Sequence, residues 1–210
     1  MKKVLILLFF VAVLWTFPQE SFSYTVLTFE NLSNAAPIPN GYGNLNWDNF
    51  NVLNNTTFNA AISGTMYGYI NLSPADAGPP YVGTIQAKGN ESFSFTGIYL
   101  SGNWANSLKV TVTGYLDGAQ KSSQTVTLGY RSPQYFNFAG FTGIDKLVFS
   151  SWSDSNTQFI GNPYYSQQKY AFSMDDFTME GPTAVPIPTA FWLLGSGVLG
   201  LVGVRRRFWK

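Results

Sequence analysis

The chain has 210 residues, of which 45% are hydrophobic, 17% aromatic and only 11% charged, a composition that allows one substantial domain with a packed core. Cysteine and histidine are both absent, which excludes disulfides, Ser-His-Asp and Cys-His catalysis and ordinary zinc sites, so that only carboxylate chemistry and oxygen-ligand metals remain. Between residues 24 and 184 six basic residues stand against ten acidic ones, a net charge of −4 without a basic stripe, which argues against a nucleic-acid partner.

Residues 1–23 have the pattern of a secretory signal peptide. Lys2 and Lys3 form a positive start, and residues 4–17 follow as an apolar run. Small residues stand just before Tyr24, so cleavage by signal peptidase is predicted at that point. The alternative is an uncleaved anchor, but 14 apolar residues are short for a membrane span.

The body of the chain, residues 24–180, alternates apolar and polar residues with the period of β-strands and contains no helix-period segment of useful length. The clearest strands are residues 92–100 and residues 108–116. The dipeptide Asp117-Gly118 then predicts a tight hairpin turn, with a partner strand near residues 122–128. Further strands are predicted at residues 24–30, 57–62, 67–71, 135–138, 146–150 and 169–179.

These eight or nine short strands predict an all-β domain in which two antiparallel sheets form a jelly-roll-like β-sandwich. The first and last strands are often neighbours in that architecture, and residues 181–184 then form a short linker. The body also resembles a family of uncharacterised secreted or surface β-sandwich proteins, a resemblance that implies no activity. The stretches that carry it are residues 39–50, 104–114, 142–149 and 172–177.

Four aromatic residues in predicted loops are the candidate glycan-binding residues: Tyr42, Trp47, Trp104 and Trp152. Exposed aromatic rings stack on the C–H-rich faces of sugars, and loops on a rigid sandwich are where binding usually occurs. Nearby Asn and Asp side chains could bond to sugar hydroxyls. The alternative is that Trp47 and Trp104 close the ends of the core, because tryptophan is highly buried on average. For Trp104 a core or anchoring role is favoured.

Acidic residues stand at the ends of the first and last predicted strands. If those strands pair, Glu30 could meet Asp175 and Asp176 and bind a structural calcium ion, with backbone carbonyls completing the oxygen ligands. The alternative is ordinary solvated acids, and no other cofactor is indicated. Paired carboxylates can also hydrolyse glycosides. The acids are scattered without a motif, however, and the protein is predicted not to be an enzyme.

Residues 185–210 combine three ordered parts. A proline motif consists of Val185, Pro186, Ile187 and Pro188; an apolar stretch follows at residues 190–204; and a basic tail, residues 205–210, contains Arg205, Arg206 and Arg207. Counted from the start of the motif, the apolar segment has 20 residues, about one bilayer thickness. A single transmembrane helix is therefore predicted, with the arginines holding the tail on the cytoplasmic side.

This terminal string resembles the PEP-CTERM sorting signal of Gram-negative bacteria, in its Val-Pro-x-Pro form. Pro186 and Pro188 match the prolines of the motif, while Ile187 replaces its glutamate. The resemblance implies processing by exosortase, an integral-membrane cysteine transpeptidase, in an organism that makes exopolysaccharide.

The sequence thus predicts an exported protein that passes through an inner-membrane-tethered intermediate to the cell surface or extracellular matrix. Its processing partners are signal peptidase and exosortase, and its sandwich is predicted to bind or associate with exopolysaccharide. Two alternatives stay open: a purely structural matrix protein without a sugar site, and a small carboxylate-dependent glycan-cleaving enzyme.

Overall fold

The structure is a computed structural model that describes residues 24–55, 60–70, 80–89, 91–160 and 170–181. These residues all fall within the unit Ser23–Gly181. The predicted signal peptide, the proline motif, the C-terminal helix and the basic tail lie outside the described residues. Within the described ranges, no helix has both the length and the apolar character that a membrane span requires.

The regular structure of the described residues is mainly β-strand, and a short 3-10 turn lies at Tyr42–Asn44. The strands are β1 (Tyr24–Leu27), β2 (Leu45–Asp48), β3 (Phe50–Asn54), β4 (Met66–Ile70), β5 (Tyr81–Ala87), β6 (Phe93–Gly102), β7 (Ala105–Asn106), β8 (Leu108–Leu116), β9 (Ala119–Leu128), β10 (Gln134–Ile144), β11 (Lys146–Trp152), β12 (Gln158–Phe159) and β13 (Phe172–Glu180). The predicted all-β class is confirmed for this part of the chain.

The strands form two large antiparallel sheets and one small pair. The six-stranded sheet has the order β10-β6-β13-β4-β3, with β1 joined to β13; the five-stranded sheet has the order β2-β5-β11-β8-β9; and β12 pairs with β7. Strand β1 lies antiparallel to the end of β13, so that Tyr24 faces Glu180. The expected pairing of the first strand with the last is confirmed.

Aromatic side chains join the two large sheets into a sandwich. The ring of Phe149 on β11 lies with its centroid 5.9 Å from that of Phe50 and 6.1 Å from that of Phe172, both in the six-stranded sheet. A side chain at Gly83 on β5 would overlap the ring of Phe50. The glycine therefore makes room for this contact, and each buried ring contributes about 1.5–3 kcal/mol through loss of water contact.

The hairpin of β8 and β9 has the form that the sequence predicts. Leu108, Val110 and Val112 are fully buried, while the intervening side chains are only partly buried. Asp117 and Gly118 have φ angles of 52° and 77°, as a type I′ turn requires at its two central positions. The register set by the turn pairs Leu116 with Ala119 and Tyr115 with Gln120, and a bulge then shifts it by one residue, so that Gly114 pairs with Ser122.

Two features of the first 90 residues differ from the sequence-based expectations. The predicted strand at residues 57–62 is not a strand in its described part, residues 60–62, because a carboxylate described below takes the backbone N–H of Ile62. Strands β2, β3 and β5 were not predicted. Asn49, with a φ of 64°, turns the chain between β2 in one sheet and β3 in the other, which keeps both strands short.

Candidate functional site

The outer face of the five-stranded sheet carries a row of hydroxyl groups. The pairing of β8 with β9 sets Thr111 opposite Thr125 and Thr113 opposite Ser123. Their side-chain oxygens lie 2.9 Å apart in the first pair and 3.3 Å apart in the second. Ser150 on β11 is the register partner of Thr111 on the other side. This row presents both donors and acceptors to solvent.

Trp152, the last residue of β11, lies on the same face and is 37% exposed. Its indole N–H donates a hydrogen bond to Oγ1 of Thr111 at 3.1 Å, which fixes the ring on the hydroxyl row. A depression of about 480 Å³ adjoins it. The lining residues are Pro80, Thr111, Ser150, Trp152, Ser153 and Tyr170. An aromatic ring beside several hydroxyls therefore borders a space large enough for a small ligand.

A charged pair flanks the ring. Nζ of Lys109, the register partner of Trp152, lies 3.7 Å from Oδ2 of Asp154 and also donates to Oγ1 of Thr127 at 2.8 Å. The backbone N–H of Asn156 donates to the Asp154 carboxylate and lowers its pKa. Lys109 and Asp154 compensate each other's charge at this edge of the face.

The other three aromatic candidates lie elsewhere. Trp47 is 6% exposed on β2, and its indole N–H donates to the carbonyl oxygen of Tyr42 at 2.9 Å. Tyr42 is half-buried and its hydroxyl accepts the N–H of Phe29 at 3.0 Å. Trp104 is partly buried against the core, with the guanidinium carbon of Arg131 5.9 Å from the centroid of its ring. Trp47 thus belongs to the core, as its alternative interpretation proposed, rather than to an exposed loop.

The acidic residues of β13 accept hydrogen bonds from a neighbouring segment, residues 62–63. Asp175 is fully buried, and its Oδ2 accepts the backbone N–H groups of Ile62 at 2.6 Å and Ser63 at 2.9 Å. The hydroxyl of Ser63 donates to Oδ1 of Asp176 at 2.6 Å. Burial raises the pKa of Asp175 to about 6, while these N–H donors favour the charged carboxylate and act in the opposite direction.

Glu30 holds the next residues of the same segment. Its Oε1 accepts the N–H groups of Thr65 at 2.8 Å and Met66 at 2.6 Å. Pairing of β1 with β13 thus brings the three predicted calcium ligands to one segment, residues 62–66. Among the described residues, however, no three acidic side chains form a group that could hold a metal ion. The carboxylates accept backbone N–H groups of this segment, and the calcium site stays a prediction.

A second surface feature escaped the sequence-based search. Tyr24 and Tyr135 are 65% and 48% exposed on the outer face of the six-stranded sheet, and a groove of about 460 Å³ lies between them. Both residues stand in predicted strands, whereas the predicted glycan-binding residues lie in predicted loops. The available signal was the alternation in β10, where Phe136 and Phe138 face the core and Tyr135 therefore faces outwards.

No protein-family model matches the chain, and no curated protein matches it in sequence. Among solved structures it is similar to a DUF4465 family protein from Bacteroides caccae, with 16% identity and a TM-score of 0.52 over 76% of this chain and 99% of that chain. That likeness concerns the fold alone.

Weaker likenesses exist to two further structures. One is TmCBM61 in complex with β-1,4-galactotriose, at 11% identity and a TM-score of 0.41 over 70% of this chain and 99% of that chain. The other is a family 29 carbohydrate-binding module, at 12% identity and a TM-score of 0.41 over 80% of this chain and 97% of that chain.

Proposed function

We propose that the protein is an exported surface or extracellular-matrix protein whose β-sandwich binds exopolysaccharide on the outer face of its five-stranded sheet. The observation that carries this proposal is the placement of Trp152, an exposed indole held beside a row of hydroxyl groups. The ring supplies an apolar surface for the C–H face of a sugar. The hydroxyls of Thr111 and Ser150 supply hydrogen bonds to its polar edge.

The position of the Trp152 ring favours binding, because the side chains of the site lose little conformational entropy when a ligand binds. The hydrogen bond from Trp152 to Thr111, and that between Thr111 and Thr125, hold side chains that would otherwise have to be ordered. Ordering an interface side chain costs about 0.5–1.5 kcal/mol, so this cost falls on folding rather than on association.

The lining of the depression favours binding over cleavage. Glycoside hydrolysis requires two carboxyl groups that flank the scissile bond. The described residues that line the depression beside Trp152 include no Asp or Glu. Asp154, two residues after Trp152, is paired with Lys109. The proposal is therefore a binding protein and not an enzyme.

The two ends of the chain supply the route to the surface. Signal peptidase would release the chain before Tyr24, and exosortase would act at residues 185–188 while the helix at residues 190–204 holds the protein in the inner membrane. The support for this route is the sequence resemblance to the PEP-CTERM signal. It is independent of the glycan site.

Binding of the full chain to the exopolysaccharide of the producing cell tests the proposal. We expect Trp152→Ala to weaken binding about tenfold or more, which corresponds to a loss of about 1.4 kcal/mol. Ile160→Ala is a matched control, because Ile160 is similarly exposed at 39% but does not line the depression. Unchanged binding by the Trp152 variant would contradict the site. Absence of binding by the unaltered protein would favour the purely structural matrix protein.

A further inference from the structure

The groove on the outer face of the six-stranded sheet is built by four strands. Tyr24 of β1 and Glu180 of β13 are register partners on one side, and Tyr135 of β10 lies on the other. Between them, Oγ1 of Thr96 donates a hydrogen bond to the carbonyl oxygen of Thr178 at 3.0 Å. The groove encloses about 460 Å³, similar to the depression beside Trp152 and within the size range of ligand sites.

The ring of Tyr135 is held in place by its neighbours. Tyr135 packs edge-on against Tyr99, with ring centroids 5.2 Å apart. Its hydroxyl end lies over Gly97, where a side chain would overlap it. Tyr24 stands opposite its register partner Glu180. The groove therefore combines two aromatic rings with polar groups, the same combination that the Trp152 face offers.

The charge of the groove favours a neutral glycan over an acidic one. Among the described residues that line it, Glu180 is acidic and no Lys or Arg is present. An acidic polysaccharide would bring its carboxylates or sulfates to a carboxylate without a compensating cation, which is unfavourable. A neutral glycan chain meets no such repulsion, and its hydroxyls can donate to Glu180 and exchange hydrogen bonds with Asn137 and Thr96.

The two sites face in opposite directions. Trp152 stands on the outer face of the five-stranded sheet and Tyr135 on the outer face of the six-stranded sheet, and these sheets pack through their inner faces. One polysaccharide segment cannot lie flat on both outer faces at the same point. A protein with two such faces holds two chain segments together.

From these observations we infer that the groove between Tyr24 and Tyr135 is a second glycan-binding site, specific for neutral chains, and that the protein cross-links exopolysaccharide. The inference rests on the proposed function. Because the sites are separate, removal of one leaves a protein that binds but does not cross-link.

The test uses the full chain and the exopolysaccharide of the producing cell, separated into neutral and acidic fractions. Binding is measured by co-sedimentation, and cross-linking by turbidity as the ratio of protein to polysaccharide is varied. With the neutral fraction we expect the unaltered protein to give a turbidity maximum that disperses in excess protein. Trp152→Ala and Tyr135→Ala should each keep measurable binding but lose the maximum. The double variant should lose binding about tenfold or more relative to either single variant.

Tyr135→Phe is the matched control, because it keeps the ring and should keep the turbidity maximum. If Tyr135→Ala still gives the maximum, or if Trp152→Ala alone removes all binding, the second site is refuted while the proposed function stands. Trp152→Ala keeps only the groove. If this variant binds the acidic fraction as strongly as the neutral fraction, the selectivity of the groove for neutral chains is refuted. If the unaltered protein binds neither fraction, the proposed function fails together with the inference.

Discussion

Two tryptophans of this chain show that environment decides the role of a residue. Trp47 packs against Phe177 with ring centroids 5.5 Å apart and joins the two sheets. Trp152 has more than a third of its surface in solvent and contacts hydroxyl groups. The same side chain thus contributes to stability at one position and to a binding face at the other.

This difference predicts opposite effects of truncation. We expect Trp47→Ala to lower the free energy of unfolding by about 3–5 kcal/mol, because it leaves a cavity in the core. Trp152→Ala, at the surface, should lower it by only about 1 kcal/mol, because it removes one partly exposed hydrogen bond and leaves no cavity in the core. Urea denaturation of both variants measures the two values. A loss of similar size in both would contradict the assignment of Trp152 to the surface.

The sequence alone does not show which of these two tryptophans is buried and which is exposed. Trp47 stands among Asn and Asp residues, and Trp152 among Ser, Asp and Asn residues, all of which are typical of loops. Burial of Trp47 follows from the short strand β2, which four residues define, and from the turn at Asn49 that ends it. A pattern of four residues is too brief to identify a strand by its period.

Asp175 should make stability depend on pH. Its pKa of about 6 in the folded protein exceeds its ordinary value of 3.8 because the carboxyl group is buried. Between about pH 4 and pH 6 the folded state therefore holds a proton that the unfolded state releases, so stability falls as the pH rises through this range and is level above it.

Thermal unfolding between pH 4 and pH 7 measures this effect. We expect the midpoint of the unaltered protein to decrease as the pH is raised from 4 to 6. Asp175→Asn should remove most of that slope, because the amide does not titrate, and should lower the midpoint where the carboxylate accepts N–H bonds. A slope of the opposite sign in the unaltered protein would mean that the N–H donors outweigh burial and that the pKa lies below its ordinary value.

At the scale of elements, local patterns predicted some strands and missed others for a physical reason. The β8–β9 hairpin is specified by neighbouring residues alone, through its alternation and its turn. Ile62 is instead held by Asp175, 113 positions away in the chain. No local pattern reports such a partner. Strand β5 has the right alternation, but Gly83 takes one of the apolar positions and weakens the signal.

The hairpin turn allows a controlled test of its backbone conformation. A side chain at Gly118 meets no atom within 4 Å, yet its φ of 77° is unfavourable for any residue with a Cβ atom. We expect Gly118→Ala to lower the free energy of unfolding by about 1–2 kcal/mol. Gly181→Ala also meets no atom and lacks a positive φ, so it should have little effect. Equal effects in equilibrium denaturation would show that strain at the turn is not the cause.

For the molecule as a whole, composition and periodicity were sufficient to predict an all-β fold of antiparallel sheets. They could not locate the binding faces. Whether Tyr24 and Tyr135 lie together depends on the register of β10 on β6 and of β1 on β13. The second of these pairings joins residues more than 100 positions apart. The sequence identifies the residues of such a face, and strand pairing decides which of them meet.

The proposed route to the surface makes a prediction for the intact protein. In the producing cell we expect the mature chain to begin at Tyr24 and to lack the segment that follows the proline motif, as mass spectrometry of the surface fraction can show. Replacement of both Pro186 and Pro188 by Ala should cause an uncleaved, membrane-bound form to accumulate. Replacement of Pro182 in the linker is the matched control. A surface protein that retains residues 190–210 would contradict sorting by exosortase.

The pairing of β1 with β13 has a consequence for chain connectivity. Tyr24 and Glu180 are opposite each other in neighbouring strands, so the first and last strands of the sandwich meet at one edge of the six-stranded sheet. A short linker from Glu180 back to Tyr24 would close the unit into a ring without disturbing either sheet. Opening that ring at the exposed Asp117-Gly118 turn would give a circular permutant with the same strand neighbours. Strands β8 and β9 would then no longer be joined by a local turn, but both outer faces would be preserved.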